Sequence, residues 1–216
     1  MEHALVGWHD DSGGGPQLRL DYRAFAYAGK FVMSSTGKAL ARDTDDPWEL
    51  DRAPDSDADT DTDADRTPDE PPRIGDPTVV AAVAFNEDRT DADTLWLRYV
   101  TVRADRRGEG IGPRLAAFVC DRAQERGYAR CRIAVNNAFS YEALAKVGFA
   151  YTGRETGLAE VVLDRDLRGT PRLDTETYQR GLDAFRERDL SPAEEAFLAA
   201  REDAGPPPLV DSPDVE

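Results

Sequence analysis

Apolar and polar positions first alternate at Leu18-Arg19-Leu20-Asp21-Tyr22-Arg23-Ala24-Phe25, the period of two that a half-buried strand leaves in a sequence. Residues 27–40 are partly apolar and rich in Gly and Ser, and carry no clear period. The apolar run Thr78-Val79-Val80-Ala81-Ala82-Val83-Ala84-Phe85 ends on Asn86-Glu87-Asp88 and predicts a well-buried strand. A polar connection of hairpin type leads to a second strand, Leu95–Arg103. A helix should follow: Pro113 suits a first turn, Leu115, Phe118, Val119, Arg122 and Ala123 recur at three- and four-residue spacing, and Gly127 marks the stop. Next come a strand over Ala129–Val135, a short helix after Asn137 that runs through Lys146 and stops at Gly148, and strands near Phe149–Thr152 and Leu158–Leu163 about a turn at Gly153–Gly157. Beyond Arg168 the pattern is helical. Tyr178, Leu182 and Phe185 share one face, and Ser191-Pro192-Ala193-Glu194 has the form of a capping box leading to Phe197 and Leu198, with a stop at Gly205. Strand, helix, strand, helix, hairpin in that order predicts a mixed α/β fold. The two C-terminal helices need a surface for their apolar faces, either this chain's sheet or a second copy, so a homodimer is one expectation.

The 216 residues suffice for one domain with an appendage. The net charge of −16 is concentrated, because residues 43–70 hold thirteen Asp and Glu against two Arg. Asp recurs there at every second position from Asp55 to Asp65, with almost nothing apolar nearby. Such a stretch cannot bury enough surface to offset its ordering entropy, which predicts a disordered acidic insertion at 43–76. It lacks the glycine and closing Glu of an EF-hand loop, so no metal site is expected. Residues 1–16, polar and containing Gly13-Gly14-Gly15-Pro16, read as a flexible leader. Residues 17–167 read as the domain, and 168–216 as a helical extension and tail. The chain has only three lysines (Lys30, Lys38, Lys146) and abundant Asp, a composition that looks like a protein of a salt-loving organism such as a halophilic archaeon. An acidic chain without a basic stripe is a poor partner for nucleic acid. No run of eighteen apolar residues and no basic-then-apolar leader is present, which predicts a cytoplasmic protein without membrane contact. Cys120 and Cys131 lie within apolar-periodic segments and read as two buried thiols.

The chemistry concentrates in Arg106-Arg107-Gly108-Glu109-Gly110-Ile111-Gly112. Three glycines at alternate positions let a backbone bend sharply and approach a ligand, and the helix that follows aims unpaired N–H groups at the same spot. That is an anion site suited to a diphosphate, with two arginines beside it. The spacing is not that of a dinucleotide-binding loop, where Pro113 would have to be glycine, and no Walker-type loop exists.

Arg107-Gly108-Glu109-Gly110-Ile111-Gly112 fits the Q/R-x-x-G-x-G/A signature of the GNAT (Gcn5-related N-acetyltransferase) superfamily. Asn137, a short helix and Lys146-Val147-Gly148-Phe149 resemble that family's second element, so the likeness extends over residues 95–163. It implies a mostly antiparallel sheet splayed at the cofactor site, and acetyl-CoA as co-substrate. Tyr99–Val102, with Val100 and Val102 foremost, would pair with the pantetheine arm. Arg106, Arg107, Gly108, Gly110, Ile111, Gly112 and Asn137 would complete the cofactor site. The implied function is N-acetyl transfer from acetyl-CoA to a primary amine, of a small molecule or a protein, by direct attack. Family members often carry a tyrosine as general acid four positions before the glycine, where this chain has Leu144. Tyr141, a turn earlier, is the candidate in its place, with Ser140 or water as substitutes. The strand before the loop has no carboxylate, which leaves Glu160 and Glu49 as candidate bases. An acidic rim would favour a cationic acceptor such as a polyamine, an aminoglycoside or a protein amine. The departures at the acid and base positions keep open an alternative, a catalytically silent acyl-CoA-binding sensor.

Overall fold

The computed structural model describes residues 1–8, 14–48 and 76–213. Its strands are β1 (Glu2–Gly7), β2 (Gly37–Arg42), β3 (Val79–Asp88), β4 (Asp91–Val102), β5 (Arg130–Val135), β6 (Ala150–Glu155) and β7 (Val161–Asp166). Its α-helices are α1 (Ile111–Glu125), α2 (Ala138–Ala145), α3 (Thr175–Arg186) and α4 (Pro192–Ala199). The seven strands form one sheet in the order β1-β2-β3-β4-β5-β7-β6. Every neighbouring pair is antiparallel except β4 and β5, whose parallel pairing requires a crossover, and α1 is that crossover.

The run Val79–Phe85 is apolar without alternation because β3 is buried on both faces. On one face Val80, Ala81, Val83 and Phe85 join Leu115, Val119 and Phe118 of α1 in the main core. On the other, Val79, Ala82 and Ala84 pack beneath Leu18, Ala24, Phe25 and Phe31.

The strand expected at Leu18–Phe25 is not formed. Asp21 turns the chain back instead: its carbonyl accepts from Ala24 N and Phe25 N at 3.1 and 2.9 Å, and its carboxylate holds the Arg23 side chain. Residues 18–31 therefore make a coiled cap with a single 3-10 turn at Ala28–Lys30, and the alternation reflects which side chains reach the sheet. The flexible leader expected at 1–16 is likewise corrected, since Glu2–Gly7 pairs along β2 from Glu2 opposite Arg42 onward.

Of the acidic insertion expected at 43–76, residues 49–75 lie outside the described residues, while its first residues are built into the fold. Asp43 N donates to Thr78 O at 2.8 Å and Trp48 N to Pro77 O at 2.7 Å, and Trp48 lies on the buried Arg103 guanidinium, 5.5 Å from it. The β6–β7 connection closes through Thr156 N and Glu160 O at 2.9 Å, displaced from the Gly153–Gly157 turn that was expected. The apolar face of α3, with Tyr178, Leu182 and Phe185, is buried within the same chain. The capping box at Ser191 and Glu194 is formed. Among the described residues no helix is long and apolar enough to cross a membrane, and no cluster of side chains could hold a metal.

Candidate active site

β4 and β5 run together only from Thr94 opposite Arg130 to Leu97 opposite Ile133, although β4 continues to Val102 and β5 to Val135. The parting begins at a β-bulge. Ala84 pairs with Tyr99 and Phe85 with Leu97, so Arg98 is the extra residue, and the bulge bends β4 away from its parallel neighbour. Beyond it the register with β3 decides which backbone groups face the opening. Arg103 N donates to Val80 O at 2.8 Å, so Thr101 and Tyr99, two and four residues back, also bond to β3. The N–H and C=O groups of Val100 and Val102 therefore point into the gap.

At the far end of this gap stands the N-terminus of α1. Its N-cap, Gly110, has φ 76° and offers no side-chain hydrogen bond, whereas Asn137, Asp174 and Ser191 cap the other three helices. The first bond into the helix is Arg114 N to Gly110 O at 3.3 Å, and Pro113 has no N–H, so those of Ile111 and Gly112 are left to a ligand. Gly108, at φ 90°, and Gly110 both have open space where a Cβ would stand. Gly112 is needed for a different reason, since a Cβ there would come within 3.1 Å of Val102 Cγ2, and its absence lets the helix end sit against the strand.

A cavity of about 510 Å³ joins the loop to the gap. Its walls include all nine residues expected to hold the cofactor: Val100, Val102, Arg106, Arg107, Gly108, Gly110, Ile111, Gly112 and Asn137. Two of them have further duties. The Arg106 guanidinium is bound by Glu109 at 2.9 Å, Asp46 at 2.7 Å and Asp43 at 3.2 Å, which raises its pKa, with the Glu109 bond as the largest cause. Asn137 Oδ1 accepts from Ser140 N at 2.8 Å and caps α2. Arg107 is less engaged, its Nε 3.4 Å from Val102 O.

Residues 38–149 match the model of the Acetyltransferase (GNAT) family. The chain belongs to the GNAT acetyltransferase family. Among solved structures it resembles nourseothricin acetyltransferase, at 22% identity over 43% of this chain and 61% of that one, with a TM-score of 0.39. A GCN5-related N-acetyltransferase from Kribbella flavida is similar at 17% identity over 74% of this chain and 72% of that one, with a TM-score of 0.43. The paia N-acetyltransferase of Thermoplasma acidophilum, solved in complex with coenzyme A, is similar at 17% identity over 43% and 57%, with a TM-score of 0.37. The chain thus spans less than two thirds of the length of the first and third of these. None of the curated proteins matches it.

Within this GNAT fold the two catalytic candidates fare differently. Tyr141 does not line the cavity; it is fully buried on the opposite side of α2, stacked on Tyr178 at 5.7 Å, with its hydroxyl donating to Tyr178 O at 3.0 Å. Burial also drives its pKa far up, so the structure gives it a packing role. Leu144 and Ser140 do line the cavity, so an apolar side chain stands at the position where the family often has tyrosine. Glu160 reaches the cavity from the β6–β7 turn, with Oε2 accepting from Thr156 Oγ1 at 3.1 Å. Glu49 lies outside the described residues. The sequence reading missed Tyr27, Arg98 and Phe197, which enter the wall from the cap, the bulge and α4 respectively. No local signal marks the first and last, whose places depend on how distant segments pack.

Proposed function

We propose that the chain is an acetyl-CoA-dependent N-acetyltransferase acting on a primary amine by direct attack. The observation that carries this reading is the single cavity in which the uncapped N-terminus of α1 and the free backbone edge of Val100 and Val102 converge. The N–H groups of Ile111 and Gly112, with Arg107, suit a diphosphate. Those of Val100 and Val102 suit the amides of a pantetheine arm, which would otherwise be buried unpaired. Acetyl-CoA supplies an activated acyl group as a thioester. At the parting of the strands, backbone N–H groups of β4 can donate hydrogen bonds to a developing oxyanion.

A C–N bond forms as the C–S bond breaks; the amine gives up one proton and the thiolate takes one, with no change of redox state. A thiol of pKa about 8.5 leaves readily as thiolate, so an apolar residue at Leu144 is tolerable and solvent or Ser140 can return the proton. Glu160 is the carboxylate nearest in role to a base, in the cavity wall. A salt-adapted, cytoplasmic protein belongs to the same reading, supported by the charge of −16.

The test is thiol release from acetyl-CoA with a panel of amines in molar KCl, beside calorimetric titration of acetyl-CoA into wild type and Gly110→Glu. The expected result is binding by wild type, at least about tenfold weaker binding by the variant because a carboxylate then meets the pyrophosphate, and amine-dependent release. Equal binding by both proteins would overturn the site. Binding without release by any amine would favour the silent sensor.

A further inference from the structure

Among the described residues, arginines that leave the solvent do so with a carboxylate, with one exception. Arg42, Arg103, Arg106, Arg122, Arg130, Arg132, Arg165, Arg186, Arg188 and Arg201 are all buried or half-buried, and each has an Asp or Glu partner within 4.0 Å. Among the described residues Arg98 is the exception: half-buried, in the cavity wall, and without a carboxylate partner.

Its guanidinium is nonetheless held. Nε donates to Asn86 Oδ1 at 2.6 Å, and Cζ lies over the Trp96 ring, 4.4 Å from its centre. The carboxylate whose field it feels most, Asp88, is already taken by Thr90 N at 2.9 Å, Thr90 Oγ1 at 2.7 Å and Arg132 at 3.5 Å. This leaves the two Nη groups as a fixed, partly desolvated fork with no anion among the described residues, the geometry that binds a carboxylate through two parallel bonds.

Position along β4 excludes the cofactor's phosphates as that anion. Gly112 abuts Val102, so the pyrophosphate loop lies four residues from Arg98, roughly 13 Å along an extended strand. Arg98 sits instead at the bulge, where the gap opens and the acyl group must end. Glu160 lines the same cavity with the opposite charge.

We infer that the acceptor is an amine that also carries a carboxylate, such as a free amino acid or a short peptide with its C-terminus, and that Arg98 binds that carboxylate. The inference rests on the acetyl-transfer reading above and replaces the purely cationic acceptor suggested by the acidic composition. Arg98 is thus a specificity residue, and Glu160 is the partner of the ammonium before it loses its proton.

The experiment uses the full chain, with free amino acids and dipeptides each matched to its C-terminal amide. Each pair is titrated calorimetrically into protein saturated with coenzyme A, and tested for thiol release from acetyl-CoA, in wild type, Arg98→Gln and Arg98→Lys. The expected result is that at least one acid binds and is acetylated about tenfold or more better than its amide. Arg98→Gln should erase that preference by raising the KM of the acid, Arg98→Lys should restore part of it, and acetyl-CoA affinity should not change. Equal use of acid and amide overturns the inference, as does a loss of acetyl-CoA affinity in Arg98→Gln. Acetyl-CoA binding with no acid bound or turned over also overturns it while leaving the cofactor site intact. Failure of acetyl-CoA to bind wild type would overturn the transferase reading itself.

Discussion

Gly181 of α3 lies against the Tyr141 ring of α2, in the space where any side chain would stand. The contact binds the C-terminal extension to the helix that walls the cavity, and it explains why Tyr141 faces away from the chemistry. Tyr141→Phe removes the bond to Tyr178 O and should cost about 1 kcal/mol of stability while leaving kcat unchanged. Gly181→Ala should cost about 1–3 kcal/mol through overpacking. Urea unfolding and thiol release on the same samples check both. A large fall in kcat for Tyr141→Phe at unchanged acetyl-CoA affinity would return that residue to catalysis.

Asp43 and Asp46, with Glu109, occupy the Arg106 guanidinium beside the glycine loop. Neutralising both, as Asp43→Asn with Asp46→Asn, leaves Glu109 as its one carboxylate partner among the described residues, and should free part of that charge for the cofactor and lower the Kd for acetyl-CoA several-fold at low ionic strength. The gain should shrink as KCl rises, because exposed charges are screened beyond about 3 Å at 1 M salt. Some stability should be lost as well, since Arg103, 1% exposed, gives up one of its two carboxylate partners. Calorimetry across a KCl series, with unfolding curves, measures the two effects separately; a Kd that does not move would mean Arg106 has no part in binding.

Lys38 is fully buried in β2, its ammonium donating to Met33 O at 2.9 Å and Thr36 O at 2.8 Å. Burial lowers its pKa from 10.5 to about 8. The folded value lies below the unfolded one, so between those two pH values the unfolded chain binds more protons and this site's contribution to stability rises with pH. Wild type should therefore gain on Lys38→Met by up to roughly 3 kcal/mol as pH increases through that window. Denaturant titrations of both proteins at pH 7, 8, 9 and 10 check the sign, and a difference that is flat with pH would mean the ammonium is not desolvated.

Much of the candidate site is legible in the sequence. A glycine loop ahead of a helix has few physical uses, and the glycines at 108, 110 and 112 specify a backbone geometry locally, which is why every cofactor residue named from them lines the cavity. Tyr141 was misjudged for a reason equally physical. On an eight-residue helix a step of one residue, about 100° of rotation, separates Ser140, which faces the cavity, from Tyr141, which faces the core, and the sequence between Asn137 and Lys146 is apolar nearly all round. The alternation at 18–25 misled similarly, because a coiled segment that caps a sheet can also bury every second or third side chain.

What the sequence by itself determined are the features governed by neighbours along the chain: the order of strands and helices from β3 onward, the uncapped start of α1, the capping box at Ser191 and the concentration of acid after Asp43. Tertiary structure alone decided which residues meet across those elements. The bulge that turns Arg98 into the cavity depends on the register of β3 against β4, the burial of Tyr141 depends on a glycine forty residues later, and the Arg106 ion pairs join positions about sixty residues apart. Each is set by packing between distant segments, whose free energy no local pattern of residues encodes.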